Sequence, residues 1–223
     1  MKKVIIIHTS LVSMDLLQEL FAKLCPNTQV NNIVDDSLLA EAMLANEVTT
    51  SMQRRMDAYV TQAASMNPDL IFNQCSSLGE AFENAAESVS CPTLRVDSPM
   101  AEEAAFLCRD GGKIAVVATV ASTCGPSVRL LENKVRKTGK SVEIKPILLD
   151  GALSILMKEK NKEKHDAIII SAVKEASGWA DVIVLAQGSM YQIGNKIRES
   201  DMMQKPVLAS PYLGVSRASE ILG

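Results

Sequence analysis

The sequence predicts an α/β protein of two similar lobes, each a parallel sheet flanked by helices, and an internal repeat is the first observation behind that expectation. Pro68-Asp69-Leu70-Ile71-Phe72-Asn73-Gln74-Cys75-Ser76-Ser77 and Ala180-Asp181-Val182-Ile183-Val184-Leu185-Ala186-Gln187-Gly188-Ser189 are both apolar strands running into a small polar turn. Placing Asp69 on Asp181 sets Cys75 against Gln187. The opening strands repeat as well: Lys3–Thr9 lines up with Lys113–Thr119, which puts Thr9 on Thr119 and His8 on Ala118. A period of about half the chain is too long for a solenoid and suits two domain-sized lobes.

The second observation is the alternation along the chain. Strand 3–8 precedes an amphipathic helix that starts near Ser13-Met14-Asp15 and stops by Cys25-Pro26, since proline cannot continue it. An extended piece around 28–33 leads to a long helix over about 37–66, with Asp36 or Ser37 as its cap. Strand 69–74 ends at Cys75, and Ser76-Ser77-Leu78-Gly79-Glu80 opens the next helix; Cys91–Val96 reads as a strand, and Ser98-Pro99 opens a helix toward Cys108. After the Asp110-Gly111-Gly112 turn the second copy runs as strand 113–119, helix 125–138, strand 142–148, helix 151–177, strand 181–186, helix 189–200 and strand 206–209. Strands separated by helices imply parallel βαβ units, whose ligands bind at the carboxyl ends of the strands. His8, Cys75, Thr119 and Gln187 fall there.

Composition is the third. With 223 residues, 47% hydrophobic and 22% charged, the chain has apolar material for real cores and too little charge for disorder. A net charge of −3 gives no footprint for nucleic acid. The four aliphatic residues before His8 are too few for a signal core or a membrane span. Five cysteines, Cys25, Cys75, Cys91, Cys108 and Cys124, without CxxC spacing read as free thiols in a reducing cytoplasm. No His/Asp/Glu cluster has metal-ligand spacing, so neither metal nor cofactor is expected. The run from Lys158 to Lys164, interleaved with Glu159 and Glu163, reads as a solvated helix face, and His165 beyond it as a surface residue. Met43, Met52, Met56, Met66, Met100, Met157, Met190, Met202 and Met203 read as core filler or as the face of a homo-oligomer.

The chain resembles the aspartate/glutamate/hydantoin racemase superfamily over essentially its full length. Asn73-Gln74-Cys75-Ser76-Ser77 is similar to that family's first cysteine motif, Val117-Ala118-Thr119-Val120-Ala121-Ser122-Thr123 to its threonine-rich turn, and Ala209-Ser210-Pro211-Tyr212-Leu213-Gly214-Val215 to the return of the C-terminus to the first lobe. The resemblance implies a flavodoxin-like, pseudo-symmetric pair of lobes, 1–97 plus 210–223 and 98–209. It further implies a cysteine at equivalent strand ends on each side of a substrate carbon. Here the second place holds Gln187, and an amide neither takes nor gives a proton near neutral pH. The resemblance therefore implies a one-cysteine variant, a situation known in arylmalonate decarboxylase, where a lone cysteine protonates an enediolate.

The chemistry expected of the thiol follows from its place. A helix N-terminus after Cys75 would lower its pKa, and the thiolate could abstract a proton, protonate a carbanion as thiol, or add to an electrophilic carbon. Thr9, Ser10, Ser76, Ser77, Thr119, Ser122, Thr123 and Ser189, with Gly188 in the same turn, supply hydroxyls and amides suited to a small carboxylate substrate. His8 is open between an acid/base role and a strand-end hydrogen bond; Gln187 is open between substrate contact and packing. Three classes remain: a cofactor-independent isomerase or decarboxylase built on Cys75, a racemase using His8 or water as second acid/base, and a non-catalytic anion-binding protein.

Overall fold

The computed structural model describes residues 1–200 and 204–223, so Met202 and Met203 lie outside the described residues. The chain divides into two compact units, Met1–Ser98 with Pro211–Gly223, and Pro99–Ser210. The first contains β1 (Lys2–His8), α1 (Met14–Leu24), β2 (Thr28–Val34), α2 (Ser37–Ala45), α3 (Thr50–Ser65), β3 (Leu70–Asn73), α4 (Gly79–Ala86) and β4 (Thr93–Arg95). The second runs from α5 (Ser98–Leu107) through β5 (Lys113–Ala118), α6 (Ala121–Thr138), β6 (Glu143–Leu148), α7 (Ala152–Met157), α8 (Lys162–Ser177), β7 (Val182–Leu185), α9 (Tyr191–Glu199) and β8 (Val207–Ala209). Helix α10 (Ser210–Leu222) then packs Val215, Ala218 and Leu222 into the first unit's core. Among the described residues no helix is long and apolar enough to cross a membrane.

Each unit holds a four-stranded, wholly parallel sheet, in the orders β2-β1-β3-β4 and β6-β5-β7-β8. The repeat extends to single hydrogen bonds. Asp69 accepts the Lys3 amide at 2.8 Å and Asp181 accepts the Lys113 amide at 2.9 Å, so each carboxylate clamps the start of the neighbouring central strand. Strand alternation sends Ile5, Ile7 and Ile71 to one face, against α2, α3 and α4, and Val4, Ile6, Leu70 and Phe72 to the other, against α1 and α10. In the second unit Ala115, Val117, Ile183 and Leu185 meet α8 and α9. Every one of these strand residues is fully buried, at about 1.5–3 kcal/mol for each large aliphatic side chain.

Two long helices read from the sequence are each a pair. The stretch 37–66 breaks at Asn46, which takes a left-handed φ of 55°, and restarts where the Thr49 hydroxyl accepts the Met52 amide. The cap at Ser37 is made by neither Asp36 nor Ser37: the Asp35 carboxylate accepts the Ser37 amide and hydroxyl, at 3.1 and 2.6 Å. The stretch 151–177 breaks after Met157; Lys160 is left-handed at 51° and Asn161 caps α8 through the Lys164 amide. The charged run is thus exposed as expected, but half of it is an interhelical turn. Helix α6 begins four residues before the expected start, with Pro126 in its second turn. Of the methionines, Met52, Met56, Met100 and Met190 are core, whereas Met66 and Met157 are exposed.

Candidate active site

Cys75 stands two residues past the end of β3, 6% exposed, in a turn held from both sides. The Asn73 side chain donates to the Cys75 carbonyl at 2.9 Å and accepts the Cys75 amide at 3.2 Å, so the residue's backbone is fixed without a helix. Helix α4 starts only at Gly79, not at Ser76, and the Ser77 and Leu78 amides in the intervening turn point at the sulfur. The Thr9 hydroxyl also adjoins the sulfur, close enough to favour its thiolate though without a hydrogen bond of regular geometry. Burial outweighs these contacts and pushes the thiol up from its ordinary value, contrary to the lowering expected from a helix terminus alone. Cys75 therefore rests as a neutral thiol, a proton donor. Burial raises the other four thiols too, and Cys25 and Cys108 are core residues.

Beneath this turn lies a buried ion pair that sequence spacing could not place. Arg95, at the end of β4 and in register with Asn73, grips Asp97 through two parallel bonds of 2.7 and 2.9 Å and reaches Glu83 at 2.8 Å. Burial opposes its charge, but Asp97 and Glu83 hold the guanidinium's pKa above the ordinary value. Asp97, itself desolvated, is held below the usual carboxylate range by Arg95 and by the Ser76 hydroxyl that it accepts. The guanidinium fills the space beside Gly79 so closely that a Cβ there would fall on it. Arg95 is thus committed to the scaffold rather than offered to a ligand.

The pleat divides the first unit's remaining candidates. Thr9 and Cys75 continue the face of Ile5, Ile7 and Ile71, while His8 continues that of Val4 and Ile6. His8 is fully buried there, its Nε2 bonded to Asn32 at 2.9 Å and its Nδ1 without a partner. Structure and pleat do not bring His8 to the face of Cys75. Ser76 and Ser77 are buried beside the thiol and Ser10 is half-buried past β1. The Gln74 side-chain oxygen is a further buried group without a partner.

Burial depresses the His8 pKa below 6.5, against the raising effect of Asn32. A folded-state pKa below the unfolded value means that the unfolded chain binds the proton first, so this contribution to stability is lost as pH falls below about 6.5 and levels off once His8 itself titrates. His8→Asn is expected to flatten the decline in urea midpoint between pH 7 and 5 relative to the parent protein. Parallel declines in the two proteins would contradict it.

In the second unit the place of Cys75 is taken by Gln187, and the pairing with threonine recurs. The Gln187 side-chain oxygen accepts both the amide and the hydroxyl of Thr119, at 2.7 and 2.9 Å. An amide N–H can only donate, which fixes the oxygen on Thr119 and leaves Gln187's two N–H donors for other partners. Ser122 and Thr123 lie buried in the first turn of α6, and Gly188 and Ser189 open the short 3-10 turn before α9. The hydroxyls of Ser122 and Ser189 are buried without a partner. Buried polar groups are ordinarily satisfied, so these hydroxyls at the carboxyl end of this sheet stand out, as Thr9 does at the end of the other.

A family model described as Asp/Glu/Hydantoin racemase matches residues 3–218. The chain belongs to that family. Similar solved structures include a glutamate racemase isoform of Bacillus anthracis, at 13% identity and TM-score 0.71, covering 99% of this chain and 81% of that one. The aspartate racemase of Picrophilus torridus matches at 14% identity and TM-score 0.69, covering 99% and 95%. Allantoin racemase from Pseudomonas fluorescens matches at 16% and 0.64, covering 98% and 90%. At these identities the likeness establishes the racemase fold and nothing finer. No curated protein sequence matches the chain.

Sequence reasoning missed Asn73 as the bracket of Cys75, Asn32 as the partner of His8, and the Arg95–Asp97 pair. It also placed His165 at the surface, and the structure overturns that: His165 is 1% exposed, with Nδ1 3.1 Å from Asp166 Oδ1. Lys162, Glu163 and Lys164 are exposed on the outer face of α8, whereas His165 and Asp166 are buried.

Proposed function

We propose that the protein is a cofactor-independent enzyme of the racemase type, acting at a carbon next to a carboxylate or carbonyl, with Cys75 as an essential acid/base group. The observation that carries this reading is the setting of Cys75: a buried, neutral thiol bracketed by Asn73, beside the orphaned Thr9 hydroxyl, at the carboxyl end of a central parallel strand in a chain of this family. A neutral thiol gives its proton to a carbanion, and as thiolate takes one from a carbon acid; the Ser77 and Leu78 amides stabilise the sulfur's charge in between. Thr9, Ser76 and Ser77, on the same unit as the thiol, hold the substrate's oxygens. Such neutral donors stabilise an enediolate by preorganisation.

The test is hydrogen exchange. D- and L-aspartate, D- and L-glutamate and a substituted hydantoin, each incubated with the protein in deuterium oxide, are followed by proton NMR at the α-position. At least one should lose its α-proton signal faster than in buffer, and prior alkylation that maps to Cys75 should abolish the difference. Exchange that survives stoichiometric modification of Cys75, or no exchange with any of the compounds, removes the reading.

A further inference from the structure

The second unit holds a histidine–aspartate pair that the reading above does not use. On α8, residues His165, Ile169, Val173 and Ala176 are all buried, and the last three form the stripe that packs on Ala115, Val117, Ile183 and Leu185. Side chains three and four apart share a helix face, so His165 stands on this stripe one turn beyond Ile169. That turn lies toward the carboxyl ends of β5 and β7, because α8 runs antiparallel to the strands it connects. A helical turn advances about 5.4 Å and two strand residues about 6.6 Å, so layers keep approximate step. Past Val117 and Leu185, which pair in register, the next strand layer on the same face is Thr119 and Gln187. Gln187 is still extended, at φ −136° and ψ 144°, so the alternation reaches it.

The ring is set up for proton transfer. Asp166 Oδ1 lies 3.1 Å from Nδ1, and the carboxylate, despite partial desolvation, is kept ionised by Lys162 at 3.0 Å and Lys196 at 3.5 Å and held below its ordinary pKa. An ionised carboxylate can only accept, so Nδ1 carries the hydrogen, and Nε2 is the ring atom at which a proton can be taken up or given. Nε2 is buried without a partner. The repeat supplies an independent comparison. The first unit's stripe on α3, Met52, Met56, Val60 and Ala63, has the same spacing and is apolar throughout. The copies thus differ twice: thiol with Met52 in one, amide with His165 in the other.

We propose that His165, oriented by Asp166, is the acid/base group of the second unit, serving a carbon acid whose oxygens are held by Thr119, Gln187 and Ser189. The inference rests on the racemase-type reading and names its second proton-transfer group. As a base, Nε2 takes the proton from the α-carbon and becomes imidazolium, its Nδ1–H remaining on Asp166, while the electron pair passes into the enediolate. Return of that proton from the imidazolium, or of a solvent proton exchanged onto Nε2, to the same carbon restores the neutral ring and consumes the enediolate's electron pair.

The chain contains two histidines, His8 and His165, so a protein labelled with 15N-histidine gives two ring systems, and His165→Gln assigns them by disappearance. Malonate, a dicarboxylate without a transferable leaving group, is the probe. Titration should shift the His165 Nε2 resonance saturably in the unsubstituted protein. A resonance that malonate does not move overturns the proposal, whatever the activity assays give. In deuterium oxide, His165→Gln should lower exchange at the α-carbon of the substrate found above by about 100-fold or more. Unchanged exchange in His165→Gln, with exchange still abolished by Cys75 modification, would sink this inference and leave the racemase-type reading intact. Exchange that persists after Cys75 modification would sink that reading instead, and the malonate spectrum would still decide the place of His165.

Discussion

Replacing Cys75 by serine is expected to lower α-proton exchange by at least about 100-fold, the smaller end of what a positioned acid/base contributes. The substitution is close to isosteric, and the bonds that fix the turn run between Asn73 and the backbone of residue 75, so they survive it. What changes is acidity. A serine hydroxyl cannot deliver or accept the proton near neutral pH, and the Ser77 and Leu78 amides that would stabilise a thiolate have no anion to meet. Because burial raises the Cys75 pKa, alkylation of the parent protein should accelerate only above the ordinary thiol range of about 8.5. Exchange rates for the serine variant within tenfold of the parent's, in a protein with the same unfolding midpoint, would show that the thiol is a bystander.

The parts of this molecule that the sequence disclosed are those governed by short periods. Strands β1, β3, β5 and β7 are each built on an apolar run buried on both faces, and Asp69 and Asp181 mark equivalent points because each makes the same clamp. The breaks at Asn46 and Lys160 were hidden because neither glycine nor proline marks them; the chain turns on left-handed φ values that asparagine and lysine adopt there. Asp35 caps α2 from outside the pair of residues expected to do so, a matter of loop geometry rather than residue type.

The errors at the site have a common origin, which is burial. Proximity to backbone amides suggested a lowered thiol pKa, but desolvation of Cys75 wins, and no sequence pattern reports how far a strand end is covered. His165 sits among Lys162, Glu163, Lys164 and Asp166, and counting those charges gave it to solvent. The signal that could have found it was present: 165, 169, 173 and 176 repeat the spacing of 52, 56, 60 and 63, and both sets precede the equivalent strands β7 and β3.

Arg95→Met is expected to destabilise the protein by about 3–5 kcal/mol, the usual consequence of removing one member of a buried ion pair. Asp97 decides the size of the effect, since it is 1% exposed and would be left charged without its two guanidinium bonds. Glu83, half-exposed, regains water at little cost. The pair is not expected to be worth that much in itself. Arg95→Met combined with Asp97→Leu should recover most of the loss in a double-mutant cycle, because no charge is then stranded. Asp97 also accepts from Ser76, so any recovered stability should come without recovery of function: the residue beside Cys75 loses its acceptor in the double variant. The sign of the pH dependence follows from the depressed pKa of Asp97. In the parent its contribution is complete above about 3.9, the unfolded carboxyl value, and is lost as pH falls through the lower folded value. In Arg95→Met the unpaired Asp97 titrates above the unfolded value, so lowering the pH relieves the stranded charge. The gap between the two proteins in urea denaturation should therefore be widest at neutral pH and narrow toward pH 4. A gap under about 1 kcal/mol at pH 7, or one that widens on acidification, would mean that the guanidinium is not what holds the Asp97 charge beneath the Cys75 turn.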